Sequence, residues 1–557
     1  MKKRLHPLLL AFLLPVALGA SFVGRPCFVD DSYHLLMAKG LLEHPLRPYD
    51  FKADDAGPNN PGWEYGRPPR MVNPPLHHYL LALFLKAGGD RIWLARLGFL
   101  LLSGLSALLI FLLSQRFMVP PLPATVFAVL TPAFWLSSYS LLIDPTMLLF
   151  FLAALLFWID GLRKNSTPLL VAAGLSMGAA CLTKYTAALV VPLAFLWWLL
   201  RPREERRFRP LLFLGLPFLL LGLWSLWNVH TYGAPHLLAS SKRVVQEFHW
   251  TNLLVFLTFF SGVFLFPLFA WLWDLRLARR PFLAAAGLTL ILFALLAGPW
   301  GGFSMDQALL VSLLAGGGVL FFQLVAQTVV ARALPSDVFL LLWLFLNSIQ
   351  MIFIMGWFAG RYYLTVLPPA VFLFYRALQR RWPHAPGALR RFSTLIEALL
   401  FLSGLALATA DHLQATARRR IVDELERDGW TDAGRRCFAL GDSFTGDYLK
   451  AAGWTTAFPE TRFQHGDLVL KNDVVMPAWW FRPEKDRFRP LKIYEYASRF
   501  PLRVMDNQGA AGFYASVWGA LPFSFSRSPL ERYVLLEYAG EAPSESPRRA
   551  LPHRAGI

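Results

Sequence analysis

Cysteine is almost missing from this chain: Cys27, Cys181 and Cys437 are the only three in 557 residues. With no Cys-x-x-Cys pair and no zinc-ligand spacing, a zinc ribbon, a dithiol redox motif and a disulfide-built scaffold are excluded. A single Cys27–Cys437 bond stays open, without support from spacing. Charge is also scarce, at 16% of residues, where soluble domains carry about a quarter. No repeat of 20–50 residues is visible, which excludes solenoids and propellers.

Apolar sequence fills the space instead. Mean hydropathy is +0.43 and 55% of residues are hydrophobic, gathered into runs of bilayer-crossing length. The spans predicted are 5–24, 93–115, 119–138, 143–160, 167–182, 185–200, 210–228, 251–273, 282–299, 307–330, 338–358, 362–377 and 393–410. This is an all-α polytopic membrane protein of about 13 spans. The first run also reads as a signal peptide, with a basic start, a short apolar core and a small-residue end; a retained helix is the preferred reading, since many-spanning proteins rarely need a cleaved leader.

The net charge of +18 is explained by position. With Lys2, Lys3 and Arg4 inside, the inside segments hold twenty Lys/Arg and the short outside turns hold four. That asymmetry puts the N-terminus in the cytoplasm and the C-terminal region outside. The basic residues are topology determinants and contacts for anionic lipid, not a nucleic-acid footprint.

Two outer segments are large. The first, 25–92, opens with DDSYHLLMAKGLL, where Asp30 or Asp31 is a helix N-cap and Gly40 a terminator. A Pro/Gly-broken stretch follows, and the segment closes with PPLHHYLLALFLKAGG, started by Pro74 and Pro75 and ended by Gly88 and Gly89. Both helices are too short to span and are expected to lie at the interface. The second segment, 411–557, is far more polar. Its runs RCFAL, LVLKN and RYVLLEY, and the glycine-punctuated AAGFYASVWGALPF, predict a small extracytoplasmic α+β domain beside a transmembrane domain of 1–410.

Ionisable residues gather at outer ends of spans. Asp30 and Asp31 follow the first span, Asp144 opens a later one, Lys184 interrupts CLTKYTA, and Arg361 with Tyr362 and Tyr363 sits in GWFAGRYYLTVLPP. Such residues at membrane depth point to function. Carboxylates for proton abstraction beside Lys and Arg for a phosphate suit group transfer on a lipid phosphate. Snorkelling and interfacial anchoring are the alternatives for Lys184 and Arg361. Tyr33 and His34, one turn beyond Asp30, and His77 and His78, on the second short helix, are candidates for supporting groups. Gly-Asp-Ser at 441–443 follows a strand as a serine esterase would require, but no downstream Asp-x-x-His accompanies Ser443, so a strand-turn is preferred.

The motif order resembles the GT-C glycosyltransferases, in particular the protein O-mannosyltransferase branch (glycosyltransferase family 39) and the related lipid A aminoarabinose transferases. The matching text is DDSYHLLMAKGLL, NPPLHHYLLALFLKAGGDRIWLARL, SLLIDPTMLLFF, GLSMGAACLTKYTAALVVP and GRYYLTVLPPAVFLF, over about residues 5–380. The chain departs from the pattern at Asp31, where the family usually has Glu, and at Asn73, where the aminoarabinose branch has a phosphate-contacting Lys. The resemblance implies a GT-C fold and an inverting transfer from a polyprenyl-phosphate sugar donor to an acceptor that is protein, lipid or glycan. It assigns Asp30, Asp31 and Asp144 to catalysis, with Asp30 as general base. Substrate binding falls to Lys184, Arg361, Tyr362, Tyr33, His34, His77 and Asn73. No metal is required, although the acids offer a divalent cation a place. The expected location is the inner or plasma membrane. A transporter or flippase, or a polymerase or ligase of lipid-linked glycans, remains the alternative.

Overall fold

In the computed structural model the chain is mostly helical, with an α+β region towards its C-terminus. The structure describes residues 2–51, 71–244, 249–263, 305–330, 334–431, 434–440, 448–449, 452–457, 461–475, 481 and 487–540. The helices are α1 (Lys2–Ala20), α2 (Asp31–Glu43), α3 (Leu76–Gly88), α4 (Ile92–Arg116), α5 (Pro121–Leu130), α6 (Pro132–Ser138), α7 (Ile143–Lys164), α8 (Thr167–Thr183), α9 (Val190–Leu199), α10 (Leu216–Tyr232), α11 (His236–Val244), α12 (Thr251–Val263), α13 (Met305–Val330), α14 (Pro335–Phe353), α15 (Leu367–Arg381) and α16 (Pro386–Arg427).

Among the described residues six helical stretches are long and apolar enough to cross a membrane: α4, α7, Arg209–Tyr232, Ala308–Val325, α14 and α16. The predicted span 119–138 is not one straight helix. It divides into α5 and α6, bent by 70°, because Thr131 precedes Pro132 and takes extended angles (φ −62°, ψ 142°); the proline ring disfavours the helical region for the residue before it. The Thr131 hydroxyl then caps α6 by accepting from the Phe134 N–H. Residues 264–273 and the predicted span 282–299 lie outside the described residues, as do Ser443 and most of the Pro/Gly-rich loop.

The first outer segment carries two short helices, α2 and α3, but Gly40 does not end α2, which continues to Glu43. The missing side chain serves packing instead: a Cβ there would come within 2.9 Å of the Phe51 Cβ. Helix α3 stops at Gly88 with Gly89 left-handed (φ 59°).

At the C-terminal end lie the strands β1 (Cys437–Leu440), β2 (Thr455–Ala457), β3 (Leu468–Asn472), β4 (Phe488–Tyr496) and β5 (Glu531–Tyr538). They form a mixed five-stranded sheet in the order β2-β1-β3-β5-β4. The three runs read as strands are thus β1, β3 and β5. Helix α16 is a continuous 42-residue rod, so the expected boundary at 410/411 falls inside it. Ala417, Ile421, Val422 and Leu425 on its last turns share a core with Leu468, Leu470, Tyr533 and Leu535 of the sheet. The stretch AAGFYASVWGALPF contributes only the two-residue strand Ala511–Gly512 and otherwise packs into the helical core through Phe513, Tyr514 and Leu521. All three cysteines are free and buried, so Cys27 and Cys437 are not joined.

One cluster of charge holds these parts together. Asp31 and Arg25 are fully buried side chains joined at 2.8 Å, and the other Nη of Arg25 reaches Asp411 of α16 at 2.8 Å. Arg96 of α4 donates to Asp31 at 3.0 Å. The other Asp31 oxygen accepts from the Leu141 N–H at 3.0 Å, and Asp411 accepts from the hydroxyls of Tyr139 and Tyr514 at 2.9 and 2.8 Å. Two cations and two anions balance, which makes such a cluster tolerable in a dry interior; removing one partner typically costs about 3–5 kcal/mol.

We expect Arg25→Met to destabilise the protein by that amount, about 3–5 kcal/mol, read as a lower unfolding midpoint in detergent. R25M/D411L restores neutrality with Asp31 on Arg96, and should be less damaging than R25M alone. A double variant worse than the single one would contradict charge balance as the source of the cluster's stability.

Candidate active site

Val29, Asp30 and Asp31 begin α2 from a constrained backbone. Val29 has φ 53°, a region that β-branched residues avoid at a cost of about 1–3 kcal/mol. The turn sends the two adjacent acids in different directions. Asp31 goes into the buried cluster. Asp30 stands at the N-cap position, but its side chain makes no capping bond; it turns into a cavity of about 520 Å³ that it helps to line.

In that cavity Arg361 donates from Nη2 to the Asp30 carboxylate at 2.8 Å, and its Nε lies 3.3 Å from Asp144 Oδ2. Lys184 Nζ meets Asp144 Oδ1 at 2.7 Å. The Tyr362 ring lies against both cations, 4.2 Å from Lys184 Nζ and 5.1 Å from the Arg361 guanidinium carbon. Local structure explains how these groups meet. Asp144 is in the first turn of α7, where the helix dipole favours an anion. Lys184 has extended angles at the break that ends α8 (φ −153°, ψ 126°). Arg361 sits in a single 3₁₀ turn, Gly360–Leu364, ahead of Pro368 and Pro369. The result is a second neutral quartet, open where the first is closed: the Asp30 side chain is 31% exposed, against 0% for Asp31. Burial pushes the Asp30 carboxyl up from its ordinary value, Arg361 pulls it partly back, and Asp31 and Asp144 push it further up.

Tyr33, His34 and Asn73 also line this cavity, together with Tyr185, Gln350 and Trp357, which the sequence did not single out. Two expectations need correction. Asp31, grouped with the catalytic acids from sequence, does not line the cavity, because two arginines and two backbone N–H groups consume its oxygens. His77, grouped with the substrate contacts, faces away too. Its Nε2 lies 2.9 Å from the Leu141 carbonyl, so that nitrogen carries the proton and Nδ1 accepts from Thr146 at 3.0 Å. His78 meets His34 at 2.9 Å, Nε2 to Nδ1, so one ring donates and the other accepts. Burial lowers all three histidines, His77 to about 4, and keeps them neutral. Asp30 and Asp144 each already face a cation, an arrangement that does not fit a divalent ion between them, and among the described residues no group of three or more His, Cys, Asp or Glu is placed to hold a metal.

Residues 72–227, which carry Asn73, Asp144 and Lys184, match the family model described as dolichyl-phosphate-mannose-protein mannosyltransferase. A search of curated proteins found no match. Among solved structures, the chain is similar to ArnT from Cupriavidus metallidurans in the apo state (15% identity, 80% of this chain and 84% of that one, TM-score 0.42). It is also similar to the oligosaccharyltransferase AglB from Archaeoglobus fulgidus, in complex with an inhibitory peptide and a dolichol-phosphate (14%, 81% and 64%, 0.45). The Saccharomyces cerevisiae Pmt1–Pmt2 complex bound to the sugar donor matches over 47% of this chain and 36% of that one (16%, 0.32).

The histidine geometry makes stability depend on pH. The folded form of His77 titrates near 4 and the unfolded form near 6.5, so the unfolded chain binds the proton first as pH falls. Stability should therefore be full above pH 6.5 and decline towards pH 4. His77→Gln should flatten that decline in unfolding midpoints measured across this window; an unchanged slope would contradict a buried neutral His77.

Proposed function

We propose that the cavity catalyses an inverting sugar transfer from a polyprenyl-phosphate-linked donor to an acceptor hydroxyl or amine, on the outer side of the membrane. The observation that carries this reading is the open quartet itself: one partly exposed acid with a raised pKa, beside two cations held by Asp144, in one cavity.

Asp30 takes the acceptor proton as the acceptor atom bonds to the anomeric carbon, and the bond from that carbon to the phosphate oxygen breaks. The lipid phosphate begins as a singly charged diester and leaves as a monoester that gains negative charge during bond breaking. Arg361 and Lys184 therefore bind the transition state more tightly than the donor, which is the condition for acceleration. Arg361 can offer two parallel N–H groups to phosphate oxygens, and Lys184 a point charge.

The ion pairs also suggest how binding prepares the base. Donor phosphate that engages Arg361 draws it away from Asp30, and the pull that lowers the Asp30 pKa weakens. Asp30 then becomes a stronger base at the moment the donor is in place. Asp144 holds Lys184 and orients Arg361 from its side. The basic-residue asymmetry of the sequence supports a cytoplasmic N-terminus, which puts the cavity and the sheet region on the extracytoplasmic side of the inner or plasma membrane. Protein, lipid and glycan acceptors all satisfy the proposed chemistry, so a glycan polymerase or ligase differs from this reading only in its acceptor.

The test uses purified protein in nanodiscs with a panel of polyprenyl-phosphate sugars, following release of polyprenyl phosphate. Asp30→Asn should lower turnover on the order of 10²–10⁴-fold while donor binding is retained. Because Asp30 must be ionised to act, turnover should fall as pH drops through its raised pKa, so the acid limb lies above the ordinary carboxylate value of 3.8. In Arg361→Gln that limb should move still higher, since Arg361 is the group that lowers it. Turnover unaffected by D30N would sink the proposal.

A further inference from the structure

The sequence predicts a separate C-terminal domain, yet one segment of that region is bonded to the cavity wall. The wall between α14 and the Arg361 turn is irregular backbone and contributes Ile354, Met355, Trp357, Arg361 and Tyr362 to the cavity. The Ile354 N–H still bonds back to the Gln350 carbonyl, but beyond it the helix has ended and the polar backbone needs partners from elsewhere. Those partners come from Phe513–Ser516. The Phe358 N–H donates to Ser516 Oγ at 2.8 Å, and the Ser516 N–H returns a bond to the Phe358 carbonyl at 2.8 Å. The Gly360 N–H donates to the Phe513 carbonyl at 2.7 Å. Arg361 itself donates from Nη1 to the Tyr514 carbonyl at 2.9 Å, leaving Nη2 and Nε for Asp30 and Asp144.

The contact is close because residue 360 is glycine. A Cβ there would lie 2.5 Å from the Phe513 ring. The strap is anchored in turn to the closed quartet, since the Tyr514 hydroxyl donates to Asp411 and its ring stands edge-on to Phe28, with centroids 5.7 Å apart. A guanidinium delivers its bidentate geometry only if its plane is fixed, and here one of its three nitrogens is occupied by a backbone carbonyl of the C-terminal region.

We propose that Phe513–Ser516 is a positioning element of the leaving-group site: it fixes Arg361, and with it the binding of the polyprenyl phosphate. Ser516 touches no reacting atom and acts through the Phe358–Arg361 turn. This inference rests on the glycosyl-transfer reading for the identity of the phosphate, and it makes the C-terminal region part of the active site.

The experiment measures binding of undecaprenyl phosphate to the full-length protein in nanodiscs, alongside turnover. Ser516→Ala should weaken binding about tenfold and lower kcat by a similar factor or more, with the unfolding midpoint unchanged and S516T restoring both. In an Arg361→Ala background S516A should add nothing, because the group it positions is gone; a purely structural role would add its full effect. Gly360→Ala, which drives the turn off Phe513, should reproduce the defect, and Phe513→Leu in the same chain should relieve it. Binding that S516A leaves within twofold, or an S516A effect that persists without Arg361, overturns this inference alone. Failure of the wild-type protein to bind undecaprenyl phosphate overturns it together with the transfer reading. Binding without turnover on any donor overturns only the transfer reading, and the S516A comparison then stands on affinity.

Discussion

Asp31 is the point on which the architecture turns. Its carboxylate is fully buried between Arg25 and Arg96, and through Arg25 it is tied to Asp411, a residue 380 positions later in the chain. Four segments are fixed by this one neutral cluster: the link from α1 to α2, the start of α2, the first turns of α4, and α16. A charge in such a place has few alternatives, since leaving it unpaired is far more costly than holding the cluster together. Its effect on the neighbouring residue is geometric. With Asp31 held from four sides and Val29 in a left-handed turn, Asp30 has one direction left, and that direction is the cavity.

The two quartets are alike in charge and opposite in consequence. In the closed one every carboxylate oxygen has a protein partner and nothing can be exchanged. In the open one Arg361 divides its nitrogens among Asp30, Asp144 and a backbone carbonyl, and the Asp30 carboxylate is partly exposed to the cavity. Neutral pairing lets the cations wait in a partly buried site, and exposure on the cavity side lets them change partners.

Much of the open quartet is legible in the sequence. Asp30, Asp144, Lys184 and Arg361 each interrupt or border an apolar run on the same predicted side, and a lone ionisable group in such a place has few uses besides function. Arg25, Arg96 and Asp411 also border apolar runs but do not stand out, because burial is not visible in residue type and an arginine after a span is usually an interfacial anchor. The link from Asp31 to Asp411 joins residues too far apart for any periodic pattern to register. Gly40 misleads for a different reason: glycine can end a helix or admit a neighbour, and Phe51 decides which, from outside the helix. The bond from Arg361 to the Tyr514 carbonyl is invisible in principle, since any residue there would offer the same carbonyl. The one available hint is Gly360, whose place beside Arg361 asks for something large to lie close by.

The length of α16 carries a mechanical meaning. At 1.5 Å per residue its 42 residues make a rod of about 60 Å, roughly twice the hydrocarbon thickness of a bilayer. One end is of span length and composition, and the other is welded into the core of the sheet. With no hinge between them, the sheet region has a set height and azimuth above the helices instead of a tethered range of motion. The strap Phe513–Ser516, which bonds to the Phe358–Arg361 turn, is therefore carried on a rigid stalk and not on a loose tether.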